Sequence, residues 1–166
     1  MSNDILMSIQ RILLFAVPFM FAVILHELGH GYAALLQGDD TAKQAGRLSL
    51  NPIHHLDPTG TAFFVLTSLF SPFVFGWAKP VPVNPMRFRN PRKGMIWVSL
   101  AGPGANIAQL LFWALLALAV APMAAQADNM FRSLEHICFA GMLVNLILAI
   151  FNMLPIPPLD GSKFLA

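Results

Sequence analysis

Charged residues are scarce in this sequence: 10 lysines and arginines and 8 aspartates and glutamates make up 11% of its 166 residues. An ordinary soluble domain carries about 25% charged residues. So few charges cannot hydrate a globular surface, which excludes a soluble domain and, for the same reason, a disordered chain. The formal net charge of +2 excludes nucleic-acid binding as a main role, because that binding needs clustered positive charge. A single cysteine, Cys138, allows neither an internal disulfide nor a thiolate metal cluster.

Long apolar runs are abundant instead, since 57% of the residues are hydrophobic. A helix needs about 20 predominantly apolar residues to cross a bilayer. Three runs are long enough, and they predict membrane-spanning helices over residues 5–37, 95–123 and 134–154. We therefore expect an all-α polytopic membrane protein that forms one membrane-embedded unit. The start of the first span is expected to stay in the helix rather than be cleaved as a signal peptide.

Residues 38–94, between the first two spans, contain one more apolar segment, Thr61–Phe75. Its 15 residues make a helix of about 22 Å, which is short for a hydrocarbon core of about 30 Å. The segment either crosses the membrane or is re-entrant and returns to the side from which it came. In the re-entrant case seven lysines and arginines between Gly38 and Lys93 share one face, which the positive-inside rule makes cytoplasmic.

The first span ends with His26-Glu27-Leu28-Gly29-His30, an H-E-x-x-H pattern. Residues four apart on a helix share a face, so His26 and His30 can bind one ion, with Glu27 placed to take a proton from a metal-bound water. A pair of imidazoles suits zinc, and a catalytic zinc keeps three protein ligands and an open position. Ionisable groups that follow a long apolar run are costly in a membrane and are usually functional. The pattern therefore predicts a site for one Zn²⁺ ion.

A third ligand must come from elsewhere in the chain, and two carboxylates are the main candidates. Asp57 precedes Pro58 and is typical of a turn, whereas Asp160 follows the third span in a proline-rich turn over residues 155–161. We favour Asp160, which requires the first and third spans to end on the same side and the segment between the first two spans to be re-entrant. Asn152 lies close to this turn and is a plausible hydrogen-bond donor to an oxyanion formed beside the metal.

Five motifs in this order resemble the site-2 protease family of intramembrane zinc metalloproteases, in its compact prokaryotic branch. They are HELGH at 26–30, NPIHHLDP at 51–58, GWAKPVPVNP at 76–85, AGPGAN at 101–106 and NMLPIPPLDG at 152–161. The resemblance implies zinc held by His26, His30 and Asp160, with Glu27 as general base and acid and Asn152 stabilising the tetrahedral intermediate. It also implies hydrolysis of peptide bonds in or near transmembrane helices of membrane proteins. The chain differs from larger relatives in lacking a PDZ-like insertion between its second and third spans.

A transmembrane substrate must unwind before it is cut, because a helix hides its carbonyls in its own hydrogen bonds. Residues 46–50 alternate in polarity and predict a short β-strand; we expect it to bind the unwound substrate by strand addition. The substrate-binding residues expected there are Arg47, Leu48, Ser49 and Leu50. His55 is expected to contact a metal ligand, to lie near the oxyanion or to hold the loop in shape. The expected partners are transmembrane substrates and membrane lipids, with no nucleic acid, and the oligomeric state is left open.

A membrane metal-ion transporter or sensor that uses the same two histidines and aspartate is the alternative function. Glu27 separates the two interpretations, since a transporter needs no carboxylate beside the ligands. The expected location is a prokaryotic plasma membrane, with the active site toward the cytoplasm.

Overall fold

The computed structural model describes residues 2–71, 76–126 and 129–164, which form five α-helices and three short 3₁₀ turns. The helices are α1 (Ser2–Leu36), α2 (Thr41–Gln44), α3 (Pro58–Phe70), α4 (Pro91–Gln126) and α5 (Asn129–Asn152). The 3₁₀ turns cover Pro52–His54, Pro85–Arg87 and Asp160–Phe164. Helices α1, α4 and α5 are long and apolar enough to cross a membrane, so the chain is a multi-pass membrane protein.

The three predicted spans are confirmed as helices, although their ends differ. Helix α4 begins at Pro91 rather than at residue 95, because proline is favoured at the first position of a helix, where its missing N–H has no partner to lose. Helix α5 begins at Asn129 and ends at Asn152, before the prolines of the following turn can interrupt its hydrogen bonds.

A buried layer of amides joins the three long helices, each of which packs against the other two. The Asn106 amide, on α4, donates to the Ala22 carbonyl of α1 at 3.1 Å and to Asn145 Oδ1 of α5 at 2.8 Å. Both asparagines are fully buried. Since lipid is as apolar as a leucine side chain, such hydrogen bonds and close packing hold helices together in membranes.

The chain enters and leaves α3 at the same place beside α1. Asp57 caps its start by accepting from the Gly60 N–H at 2.7 Å, which is the turn-forming role expected for this residue. After the helix, the Lys79 N–H donates to the His55 carbonyl at 2.9 Å, so the chain before α3 meets the chain after it. This is the geometry that a re-entrant segment needs; residues 72–75, at the end of the predicted segment, lie outside the described residues.

The short β-strand expected over residues 46–50 does not form in the described structure. Alternating polarity makes a strand only where a neighbouring strand can accept its hydrogen bonds, and here the backbone has other partners. The Arg47 N–H donates to the Ala42 carbonyl at 2.9 Å, and the Ser49 carbonyl accepts from the His55 ring at 2.7 Å. Within the described residues the β pairing consists of one isolated bridge between Leu56 and Ala78.

Candidate active site

The structure brings the three predicted metal ligands together at one end of the bundle. His26 and His30 project from α1, and Asp160 opens the 3₁₀ turn that follows α5. Asp160 Oδ2 lies 3.2 Å from His26 Nε2 and 2.9 Å from His30 Nε2, and the two Nε2 atoms are 3.0 Å apart. All three residues are buried. The end of the first span and the proline-rich turn therefore meet at the same depth, as the choice of Asp160 requires.

The partners behind the two imidazoles determine which ring nitrogen carries the proton. His30 Nδ1 lies 2.7 Å from the Val98 carbonyl, which can only accept, so this nitrogen is protonated. His26 Nδ1 lies 2.6 Å from Asn106 Oδ1, whose orientation follows from the donation of the same amide to the Ala22 carbonyl. His26 Nδ1 is therefore protonated too. In each neutral imidazole, Nε2 is left with a lone pair that faces the other ligands.

The two Nε2 atoms and Asp160 Oδ2 thus turn their lone pairs toward one another at separations of about 3 Å. These atoms repel one another unless a cation lies among them. Asp160 Oδ2 is buried and receives no directed hydrogen bond from any described residue. A tetrahedral zinc ion holds nitrogen and oxygen ligands at about 2.0–2.1 Å, which sets those ligand atoms about 3.3 Å apart. The donor chemistry and the spacing of this group both fit zinc.

Lys163 holds the other oxygen of the Asp160 carboxylate. Its ammonium donates to Oδ1 at 2.8 Å, which leaves Oδ2 to face the imidazoles. This positive charge beside Oδ1 favours the charged form of the carboxylate, which presents its other oxygen to the site.

Glu27 lies on the wall of the same cavity, held by a distant part of the chain. Its Oε2 accepts from the Val81 backbone N–H at 2.7 Å. The cavity, of about 360 Å³, is bordered by Glu27, the three candidate ligands and Asn152. One backbone donor thus orients the carboxylate that the sequence predicts as the general base.

A glycine on α4 makes room for the two imidazoles. A Cβ added at Gly102 would lie 2.7 Å from His26 Cε1 and closer still to the ring of His30. The absence of a side chain at Gly102 therefore lets the two candidate ligands lie directly against α4.

Asn152 borders the cavity, and one hydrogen bond holds its amide against its own helix. Its Nδ2 donates to the Leu148 carbonyl at 3.0 Å. The amide nitrogen carries a second N–H, and its predicted donation to an oxyanion stays a prediction.

The residues predicted to bind substrate mostly hold the loop together. The buried Arg47 donates to the Lys79 carbonyl, and Leu48 packs against Gly31. Ser49 Oγ accepts from the Asn51 N–H at 3.1 Å, and Leu50 is exposed. Without the expected strand, their contact with substrate stays a prediction.

His55 is held away from the candidate ligands. Its ring is buried, donates from Nε2 to the Ser49 carbonyl and lines a separate apolar cavity. Of the roles that the sequence left open for His55, this placement favours the loop-holding one.

Comparison with known proteins assigns the chain to a family. The family model described as Peptidase family M50 matches residues 14–166. The chain belongs to peptidase family M50, the site-2 protease family. The matching segments are 40% identical over 150 residues to YwhC of Bacillus subtilis (strain 168), a candidate zinc metalloprotease, covering 90% of this chain and 66% of YwhC.

A second relative is Rip2 of Mycobacterium tuberculosis (strain H37Rv), also named as a candidate zinc metalloprotease. It is 30% identical over 154 residues, covering 86% of this chain and 52% of Rip2. The chain thus spans about two thirds of the length of YwhC and about half of that of Rip2. No solved structure gives a significant match to the chain. Its family and its three apolar helices together identify the chain as a membrane protein of the metalloprotease type.

Proposed function

We propose that this chain is the core of an intramembrane zinc metalloprotease that hydrolyses peptide bonds in or near the transmembrane helices of other membrane proteins. The observation that carries the proposal is the convergence of three lone-pair atoms, from His26, His30 and Asp160, beside a carboxylate held by a backbone N–H. The names of the relatives support zinc as the metal and proteolysis as the reaction.

The roles of the residues follow from their positions. A zinc ion held by the three ligands would supply an acidified water and polarise the substrate carbonyl. Glu27, held in orientation by the Val81 N–H, accepts a proton and later delivers it to the leaving nitrogen. Asn152, one N–H of which donates to the Leu148 carbonyl, donates the other to the developing oxyanion.

The charge distribution supports a cytoplasmic active site. The basic residues between α1 and α4 belong to the end of the bundle that holds Asp160, and Lys163 joins them there. The positive-inside rule makes that end cytoplasmic. The exposed basic run Arg87–Lys93 is then placed to meet anionic lipid headgroups.

The proposal is tested with a matched pair of variants, Glu27→Gln and His30→Ala, purified and reconstituted with zinc. We expect Glu27→Gln to bind one zinc per chain and to cut a transmembrane-helix polypeptide about 10²–10⁴-fold more slowly than wild type, because only the proton transfer is lost. His30→Ala is expected to lose zinc and cleavage together. Cleavage by Glu27→Gln at the wild-type rate would contradict the proposal. Zinc flux across vesicles by a wild type that cuts nothing would favour the transporter.

A further inference from the structure

A second cavity adjoins the candidate active site on the side of Glu27. It has a volume of about 160 Å³ and lies between α1, α3 and the extended segment that follows α3. Its walls are apolar apart from His55 and Thr61, and the larger side chains among them are Phe19, Met20, Phe64 and Trp77.

Two walls of this cavity lie close along the chain to Glu27 and to its backbone partner Val81. Val23 and Ile24 line it from α1, and they precede Glu27 by four and three residues, so they lie on the face of Glu27 one turn away. Ala78 lines it from the extended segment, three residues before the Val81 that donates to Glu27. The cavity therefore begins about one helical turn, or about 5 Å, from Glu27 along α1, a distance that a side chain of a polypeptide bound at Glu27 can span.

The cavity is already formed in the protein alone. The bridge between Leu56 and Ala78 joins two of its walls, and the Lys79 N–H donates to the His55 carbonyl beside them. Gly60, at the start of α3, packs so closely on the Trp77 carbonyl that a Cβ there would overlap it. Because its walls are fixed before a ligand arrives, an occupant loses little free energy to ordering the protein.

Size and chemistry restrict what can fill the cavity. An engineered cavity of about 150 Å³ with apolar walls holds benzene, so this one accommodates a group up to the size of one aromatic ring. A lipid chain is much longer than one ring. The apolar groove on the opposite side of α1, of about 1010 Å³, offers more room for such a chain.

We propose that this cavity is a specificity pocket, which binds an apolar side chain next to the cleaved bond of the substrate. The proposal rests on the proposed proteolytic function and adds the class of residue that the enzyme selects: leucine, methionine or phenylalanine rather than alanine or a charged residue. Deleting a few methylene groups from a side chain that fills a hydrophobic pocket lowers kcat/KM by at least about tenfold.

The test uses transmembrane polypeptides that differ only in the residue next to the cleaved bond, which is located by mass spectrometry. Wild type is expected to prefer phenylalanine and leucine to alanine by at least about tenfold in kcat/KM. Ala16→Phe, which fills the cavity, should shift the preference toward alanine, and Phe64→Ala, which enlarges it, toward larger side chains. Phe21→Ala is the matched control, since Phe21 lines the groove on the opposite side of α1.

Preferences are compared within each variant, so a partly unfolded preparation does not change the ratio. A second measurement works without cleavage: a transmembrane helix carrying bromophenylalanine is bound to Glu27→Gln, and quenching of Trp77 fluorescence is followed. Trp77→Phe supplies the background. We expect quenching at one bromophenylalanine position and its loss in Ala16→Phe.

Each outcome decides between the two proposals. Cleavage with no change of preference in Ala16→Phe and Phe64→Ala, or with an equal change in Phe21→Ala, overturns the pocket and leaves the protease. Position-specific quenching together with no cleavage by wild type keeps the cavity as a binding site for an apolar side chain, but overturns both the protease and the role of the cavity beside a cleaved bond. Absence of both, or stronger quenching of Trp77 by brominated lipid chains than by the helix, overturns the pocket.

Discussion

Asn106 is predicted to control zinc affinity although it is not a ligand. Its Oδ1 accepts from His26 Nδ1 at 2.6 Å, and its amide nitrogen donates to Ala22 of α1 and Asn145 of α5. The substitution Asn106→Leu keeps the approximate size of the side chain and removes all three hydrogen bonds. His26 is then free to rotate and to change the nitrogen that carries its proton.

The size of the effect follows from these contacts. Removing the hydrogen-bond partner of a metal-bound histidine lowers metal affinity by about 10–100-fold, or about 1.4–2.7 kcal/mol. The two remaining hydrogen bonds join helices, and such bonds contribute about 0.6 kcal/mol each in a membrane. We therefore expect Asn106→Leu to weaken zinc binding by about 10–100-fold. We also expect it to lower the free energy of unfolding of the zinc-free protein by about 1 kcal/mol.

Competition with a chelator of known affinity measures the zinc constant, and thermal unfolding without zinc measures the stability. Asn145→Leu is the control, because it removes the bond between α4 and α5 but leaves the contact of Asn106 with His26. It should lower stability while changing zinc affinity much less. Wild-type zinc affinity in Asn106→Leu, or equal weakening in both variants, would refute the reasoning.

Three further predictions concern single side chains. Gly102→Ala should abolish tight zinc binding, because its methyl group overlaps both imidazoles. Gly104→Ala is the control and should leave zinc binding unchanged, since its methyl group would meet no other segment within 4 Å. Isothermal titration with zinc distinguishes the two variants. Lys163→Met should weaken zinc binding about tenfold by releasing Asp160 Oδ1, and Lys163→Arg should restore it in the same assay. Burial opposes the lowered pKa of Asp39, but hydrogen bonds from Asn84 and Thr41 hold that pKa below its ordinary value of 3.8. Its contribution to stability is therefore complete above pH 3.8 and is lost as the pH falls through the lowered pKa, so the unfolding temperature of wild type should drop in acid more steeply than that of Asp39→Asn. Parallel acid profiles would contradict this.

The sequence predicted the parts of the site that depend on local spacing and on the membrane. His26, Glu27 and His30 lie within one helical segment, so their shared face follows from helix geometry alone. Asp160 followed from the small number of carboxylates and from its place in the proline-rich turn after the third span, and the shared side of the two spans was inferred from that choice. Long apolar runs made the three spanning helices equally clear.

Sequence patterns could not predict the contacts between distant segments of the chain. An asparagine in an apolar helix such as Asn106 is compatible with any interhelical hydrogen bond, and its contact with His26 depends on how α4 is rotated against α1. The Val81 N–H that orients Glu27 lies 54 residues away along the chain and carries no side-chain signal. The predicted strand over residues 46–50 is not confirmed, because alternating polarity alone does not supply the partner strand that it needs.

The account depends on one zinc ion shared by α1 and the turn after α5, and counting bound metal tests this most directly. Zinc is quantified by mass spectrometry in wild type, His30→Ala, Asp160→Ala and Glu27→Gln after equilibration with a chelator. We predict one zinc per chain in wild type and in Glu27→Gln. We predict loss of zinc in the other two variants, with affinity falling beyond the about 100-fold expected for a residue that only touches a ligand. Asp160→Ala protein that keeps one zinc with wild-type affinity would contradict the central claim.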